Sequence, residues 1–221
     1  MYFLKDKENL RSSLKKKRDA LGKELRFKKS EKIADFLCEI NEFKQSKTIF
    51  CYISYKSEVE TLSLINLILE SDMNLYVPKI ISGTEMIAVK LNDIANLELD
   101  DIGILTPKSN EILSEKVDIT ITPGIGFTKK GGRLGYGRGY YDRWFSTNEV
   151  KTKIGISFEA QIVMNLPLEK TDINMDLIIT EKEIIRPKKY EIFIPTQNLL
   201  TQLITYLYLM HHSVLFQASP F

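Results

Sequence analysis

The chain has 221 residues, 43% hydrophobic and 27% charged, with a formal net charge of +2. That length favours one α/β domain over two, and the composition excludes wholesale disorder. The small net charge argues against a dedicated nucleic-acid binder, since the basic excess is local, at residues 15–18 and 28–29.

Residues 5–26 place Leu10, Leu14, Leu21 and Leu25 largely on one face of a helix. A second helix follows, with Ser30 as its N-cap and Ile33, Ala34, Leu37 and Ile40 inward. Residues 48–54 are β-branched and aromatic, which predicts a strand, and 57–61 form a polar turn. A helix over 61–71 carries Leu64, Ile65, Ile68 and Leu69. Residues 75–77 read as a short strand stopped by Pro78, and 86–91 as another. Residues 92–116 read as loops with one short element. A strand over 117–122 ends at Pro123, and a helix begins near Gly139, carrying Tyr140, Tyr141, Trp144 and Phe145. Two further strands fall at 153–157 and 176–180. Strands alternating with helices predict an α/β fold: a mostly parallel central sheet flanked by helices, three layers, one domain over residues 1–190.

Residues 191–221 form an apolar C-terminal extension, and from 192 onward it holds no Lys, Arg, Asp or Glu. Its leucines recur at roughly helical spacing, but Thr, Gln and His interrupt them, so it makes a poor membrane span. An extra packed helix, an interfacial helix and an extension foreign to the fold all remain open.

Both histidines, His211 and His212, lie in that extension. If it stands outside the fold, histidine triads, histidine-ligated zinc and histidine bases are excluded together. The remaining chemistry rests on carboxylates, Arg, Lys, Tyr and backbone amides, a set that suits phosphoryl transfer. Cys38 and Cys51 match neither metal nor CxxC spacing. With no apolar leader at the start, they predict a cytoplasmic protein.

Seven of the eleven glycines lie between Gly124 and Gly139. The run leaves a strand and enters a helix, the place where open α/β sheets bind ligands. Glycines let backbone amides approach phosphate oxygens, a helix start adds its dipole, and Arg133 and Arg138 add fixed charge. No Walker signature closes the run, and a tight structural loop would use the same glycines. Asp142 is either a solvated first-turn carboxylate or a magnesium ligand.

The run resembles the 5-formyltetrahydrofolate cyclo-ligase (5,10-methenyltetrahydrofolate synthetase) family. Its members carry Pro-Gly-x-x-Phe, a short insert, then Arg-Leu-Gly-x-Gly-x-Gly-Tyr-Tyr-Asp; here these are residues 123–127 and 133–142. Lys7, Leu10 and Arg11 are similar to its opening Lys-x-x-Leu-Arg, residues 58–61 to its Glu-Val-Asp-Thr, and residues 176–181 to its terminal strand. The resemblance covers about residues 5–185. It implies an enzyme that uses ATP and Mg²⁺ to convert 5-formyltetrahydrofolate to 5,10-methenyltetrahydrofolate; nothing in the sequence demands more than a monomer. The formyl oxygen attacks the γ-phosphate, N10 closes the ring, and phosphate leaves.

The resemblance implies that Lys7, Arg11, Arg133, Leu134, Gly135, Tyr136, Gly137, Arg138, Gly139, Tyr140 and Tyr141 contact ATP. It implies that Arg11, Ile53, Glu58, Tyr136 and Tyr140 contact the folate, that Arg138 and Tyr141 serve catalysis, and that Asp142 and Asp176 hold magnesium. Position 138 more often carries lysine in the family. Lys79 is a candidate for the folate's glutamate tail, Asp118 is a weaker acidic candidate, and Thr61 could cap the next helix. Two alternatives stay open: another phosphate-handling enzyme of this architecture, such as a sugar-phosphate isomerase or CoA-transferase relative, and a module that binds single-stranded RNA by charge and stacking.

Overall fold

The computed structural model describes residues 2–100 and 103–188, with side chains from Asp6 onward. The extension over 191–221, with His211 and His212, lies outside the described residues.

Helix α1 spans Tyr2–Asp19 and α2 spans Lys23–Glu39. The break comes at residues 20–22, ahead of the boundary expected at Ser30. Gly22 stands at the break, where a helix interior would lose about 1 kcal/mol relative to alanine. Ser30 therefore sits inside α2. Its hydroxyl donates to the Arg26 carbonyl (2.8 Å) and accepts the Glu60 amide (2.9 Å), tying α2 to the segment before the next long helix.

A single turn, α3 (Asn41–Lys44), leads into β1 (Thr48–Cys51). The chain continues through α4 (Leu62–Leu69), β2 (Asn74–Ile80), β3 (Met86–Lys90), β4 (Leu97–Leu99), β5 (Leu105–Pro107) and β6 (Val117–Thr122). Then come β7 (Gly126–Thr128), β8 (Arg133–Leu134), α5 (Tyr140–Thr147), β9 (Val150–Ile156), β10 (Ile162–Val163), β11 (Leu177–Ile179) and β12 (Ile184–Ile185). Among the described residues, no helix is long and apolar enough to cross a membrane.

Seven strands form the main sheet in the order β12-β11-β9-β6-β1-β2-β3. The four inner pairings are parallel and the two outer ones antiparallel, the mostly parallel sheet expected from the alternation of elements. Side chains alternate between its faces. Ile49 and Cys51 of β1 join α2, α3 and α4 in the larger core, while Phe50 between them packs with Trp144 of α5 on the opposite face. Helices thus cover both faces, giving the three expected layers.

Strand β2 runs past Pro78, where a stop was expected. Its pairing with β1 ends at Tyr76, and beyond that, among the described residues, it pairs only with β3. A proline is tolerated there because one side of the strand is already an edge.

A second sheet, ordered β10-β7-β8, grows out of the glycine run. The Phe127 ring of β7 is fully buried against bare backbone. A Cβ added at Gly124 would lie 2.5 Å from that ring, and one added at Gly155 of β9 would lie 2.4 Å from it. Leu14 of α1 packs onto Gly126 from the other side, beside Ile125 and Leu134. The small sheet is therefore held between the main sheet and α1. Replacing Gly155 with alanine would drive the Phe127 ring out of a site with no slack. Gly155→Ala is expected to lower unfolding free energy by about 1–3 kcal/mol, read from the midpoint of a urea titration.

Candidate active site

Strand β6 ends at Pro123, and beyond the carboxyl edge of the sheet lies a cavity of about 770 Å³. Its walls come from α1, the loop between β8 and α5, the start of α5, and residues 169–173. The glycine run divides by task. Gly124, Gly126, Gly131 and Gly132 serve close packing, and Gly131 adopts φ 93° in the β7–β8 turn. Gly135, Gly137 and Gly139 line the cavity, and the last two have positive φ (99° and 64°). These left-handed positions bend the backbone sharply on its way into α5.

Lys7 and Arg11 share one face of α1 and both reach the cavity. Arg11 Nε donates to the Gly135 carbonyl (3.0 Å), and its guanidinium lies against Gly137, where a Cβ would come within 3.4 Å. The Lys7 side chain is almost wholly buried, and its Nζ lies between Glu169 (2.9 Å) and Asp172 (3.1 Å). Burial works against its charge, but the two carboxylates outweigh it and hold the ammonium above the ordinary lysine value.

Arg133 is buried at the cavity wall. Its Nη2 donates to Asp142 Oδ2 (2.9 Å), and its guanidinium sits 5.5 Å from the centre of the Tyr141 ring. Asp142 Oδ1 accepts the Ile173 amide (3.2 Å). Among the described residues, Arg133 Nε and Tyr141 Oη are the buried side-chain polar atoms without a hydrogen-bond partner. Such orphans are costly, and a ligand in the adjoining cavity is the natural way to satisfy them. Arg138 is exposed on the glycine loop.

Beside the cavity lining, which includes Tyr136 but not Arg18 or Glu58, Arg18 Nη1 donates to the Tyr136 hydroxyl (2.7 Å), which in turn donates to Glu58 Oε1. Glu58 Oε2 accepts the Tyr55 amide (2.9 Å). Arg143 ties the loop down from outside: its Nε donates to the Thr84 carbonyl (2.8 Å) and its Nη2 to the Arg138 carbonyl (2.6 Å).

The structure thus gathers Lys7, Arg11, Arg133, Leu134, Gly135, Tyr136, Gly137, Arg138, Gly139, Tyr140, Tyr141 and Asp142 around one cavity. Glu58 joins them through Tyr136. Ile53 is part of the larger core and does not line the cavity. Asp176 stands just ahead of β11, where its carboxylate accepts the Lys153 amide (3.0 Å) and lies 3.4 Å from the Lys153 ammonium; it does not line the cavity either. Asp118 accepts the Lys47 and Thr48 amides and secures the start of β1. Lys79 Nζ donates to the Ser109 carbonyl and the Asn110 side chain. The cap of α4 comes from Glu60, which accepts the Leu62 and Ser63 amides, while Thr61 bridges Tyr52 and Ser54.

Sequence reasoning missed Arg18, Arg143, Glu169 and Asp172. Arg18 follows Lys7 and Arg11 at helical spacing, a signal that was available. Glu169 and Asp172 sit in an irregular segment with no periodicity to mark them.

Burial pushes the Glu58 carboxyl above the usual carboxylate range, against the opposing effects of Tyr136, the Tyr55 amide and Arg18. A carboxyl raised on folding favours the folded state most when protonated, and that contribution is lost as pH rises through its folded value. Glu58→Gln removes the titration. The parent's thermal midpoint is expected to fall relative to that of Glu58→Gln as pH rises through the Glu58 folded value, whatever the constant offset between the two proteins, read by thermal melts across pH.

Residues 4–181 match the 5-formyltetrahydrofolate cyclo-ligase family. A probable 5-formyltetrahydrofolate cyclo-ligase from Caenorhabditis elegans is 30% identical over 81% of this chain and 94% of its own. The 5-formyltetrahydrofolate cyclo-ligase of Mus musculus is 30% identical over 79% and 93%. Among solved structures, the 5,10-methenyltetrahydrofolate synthetase of Aquifex aeolicus superposes with a TM-score of 0.76 at 31% identity, covering 86% of this chain and 97% of that one. The family match spans well over half the chain and contains every cavity-lining residue named above, so this chain belongs to the 5-formyltetrahydrofolate cyclo-ligase family.

Proposed function

We propose that this protein uses ATP and Mg²⁺ to cyclise 5-formyltetrahydrofolate to 5,10-methenyltetrahydrofolate, releasing ADP and phosphate. The observation that carries the reading is the cavity itself. Arg11 and Arg133 border a loop whose glycines leave its backbone open to close approach, and Lys7 lines the same cavity. Family membership names the substrate that such a cavity would serve.

A formyl amide oxygen is a poor leaving group, and phosphorylation makes it a good one. The formyl oxygen attacks the γ-phosphorus, and the bond to the bridging oxygen breaks with release of ADP. N10 then attacks the activated formyl carbon and loses its proton. The carbon–oxygen bond breaks, phosphate departs, and an N5–C–N10 bridge remains. Positioning and charge stabilisation account for most of such catalysis, which accords with the absence of histidine from residues 1–210.

Lys7, Arg11 and Arg133 would neutralise the phosphates, and Arg138 would follow the transferring group from the loop. An arginine at 138 keeps the charge of the commoner lysine but presents a planar fork. Tyr136 and Tyr140 would flank the folate, and Tyr141 Oη would gain a partner from the ligand. Asp142 fits a magnesium ion. It lines the cavity, and each oxygen takes one protein hydrogen bond, leaving acceptor capacity for a cation otherwise held by water and phosphate. Magnesium would spread the charge of the β- and γ-phosphates. Asp176 is the second carboxylate that the family resemblance puts forward, and it would act from outside the cavity lining. The free thiols of Cys38 and Cys51 suit a reducing cytoplasm.

Purified protein mixed with 5-formyltetrahydrofolate, ATP and Mg²⁺ is expected to generate the near-ultraviolet absorbance of the methenyl product, with all three components required. Asp142→Ala should lower kcat by about a hundredfold or more. No absorbance rise from folded protein that still binds ATP would refute the folate assignment and leave the nucleotide site. Arg11→Ala should raise the KM for ATP about tenfold or more, in line with loss of a charged hydrogen bond, measured in the same assay.

A further inference from the structure

Arg18 is buried, with 2% of its surface exposed, and its nearest carboxylate oxygen, on Asp19, is 3.8 Å away. Two hydroxyls satisfy it instead. Arg18 Nε donates to Ser57 Oγ (3.0 Å), and Ser57 donates to Asp19. Arg18 Nη1 donates to Tyr136 Oη (2.7 Å), and Tyr136 donates to Glu58. One buried cation thus reaches two carboxylates, each through a single hydroxyl.

Arginine can only donate, so Tyr136 accepts from it, and the phenol's one proton is left for Glu58, to which the hydroxyl donates. The other Glu58 oxygen accepts the Tyr55 amide. Both carboxyl oxygens are therefore acceptors, the pattern of the ionised form. The remaining titratable groups near Glu58, the Tyr52 and Tyr141 phenols, are held neutral by burial and supply no compensating charge. Arg18 is the cation coupled to Glu58 from α1.

We propose that Arg18 is a positioning residue of the folate subsite: through the Tyr136 hydroxyl it holds Glu58 as an oriented carboxylate, ready to accept N–H donors of the reduced pterin. The inference rests on the cyclo-ligase reading for the identity of the ligand, but not for the state of Glu58. The Arg18 guanidinium carbon lies 5.9 Å from the centre of the Tyr136 ring.

The test uses the full chain carrying Arg18→Met or Arg18→Lys, with the carbon resonance of the Glu58 carboxyl followed against pH without ligand. In Arg18→Met the Glu58 midpoint should rise by about one pH unit or more, and Arg18→Lys, which keeps the charge, should restore most of it. Equilibrium binding of 5-formyltetrahydrofolate at neutral pH should weaken about tenfold or more in Arg18→Met, and its acid limb should move with the Glu58 midpoint, while ADP binding is unchanged. An unmoved Glu58 midpoint in both folded variants would overturn the proposal. So would a shifted midpoint with undiminished folate binding in a protein that turns the folate over. If the parent binds no folate, the cyclo-ligase reading fails, and the ligand-free titration still decides whether Arg18 governs Glu58.

Discussion

The architecture turns on the burial of one ring. Phe127 packs directly against backbone at Gly124 and Gly155, positions where any side chain would collide with it. That contact presses the small sheet onto the main one. The hairpin of β7 and β8 can then deliver Arg133 and the following glycines to the carboxyl edge of the sheet. Helix α1 docks on the same hairpin through Leu14 against Gly126, Ile125 and Leu134. Much of the cavity wall therefore takes its place by packing, before any charge is considered.

Charge acts on that frame through a single helix face. Lys7, Arg11, Leu14 and Arg18 recur at i, i+4, i+7 and i+11, so one stripe of α1 carries three cations and the apolar residue that anchors them. Each cation has its own restraint: Lys7 between two carboxylates, Arg11 on a loop carbonyl, Arg18 on two hydroxyls. Restrained cations lose less freedom when a polyanion arrives, which is the physical content of preorganisation.

Much of this was legible in the sequence, because it follows from local chemistry. The strand into Pro123 and the helix after Gly139 stand where period and punctuation placed them. The division of labour among the glycines was not legible, since packing against Phe127 and closing on a ligand demand the same residue. The α1–α2 break was misplaced because the leucine pattern runs on through Gly22, even though Leu25 ends up exposed. Pro78 does not end β2, because the side of the strand on which its missing amide is harmless depends on where β1 stops, which the local sequence does not reveal. Partners such as Glu169, distant in sequence and outside any periodic element, become visible only once the chain has folded.

That distance has a consequence for how the protein comes into being. Lys7 meets its two carboxylates at sequence separations of 162 and 165. Contacts of such long range carry a large closure entropy and form late. As the chain leaves the ribosome, its first helix therefore emerges long before the segment that completes the site. The cavity lining runs from Lys7 to Ile173, so the nascent chain carries the complete lining only once almost all of the described domain has been made.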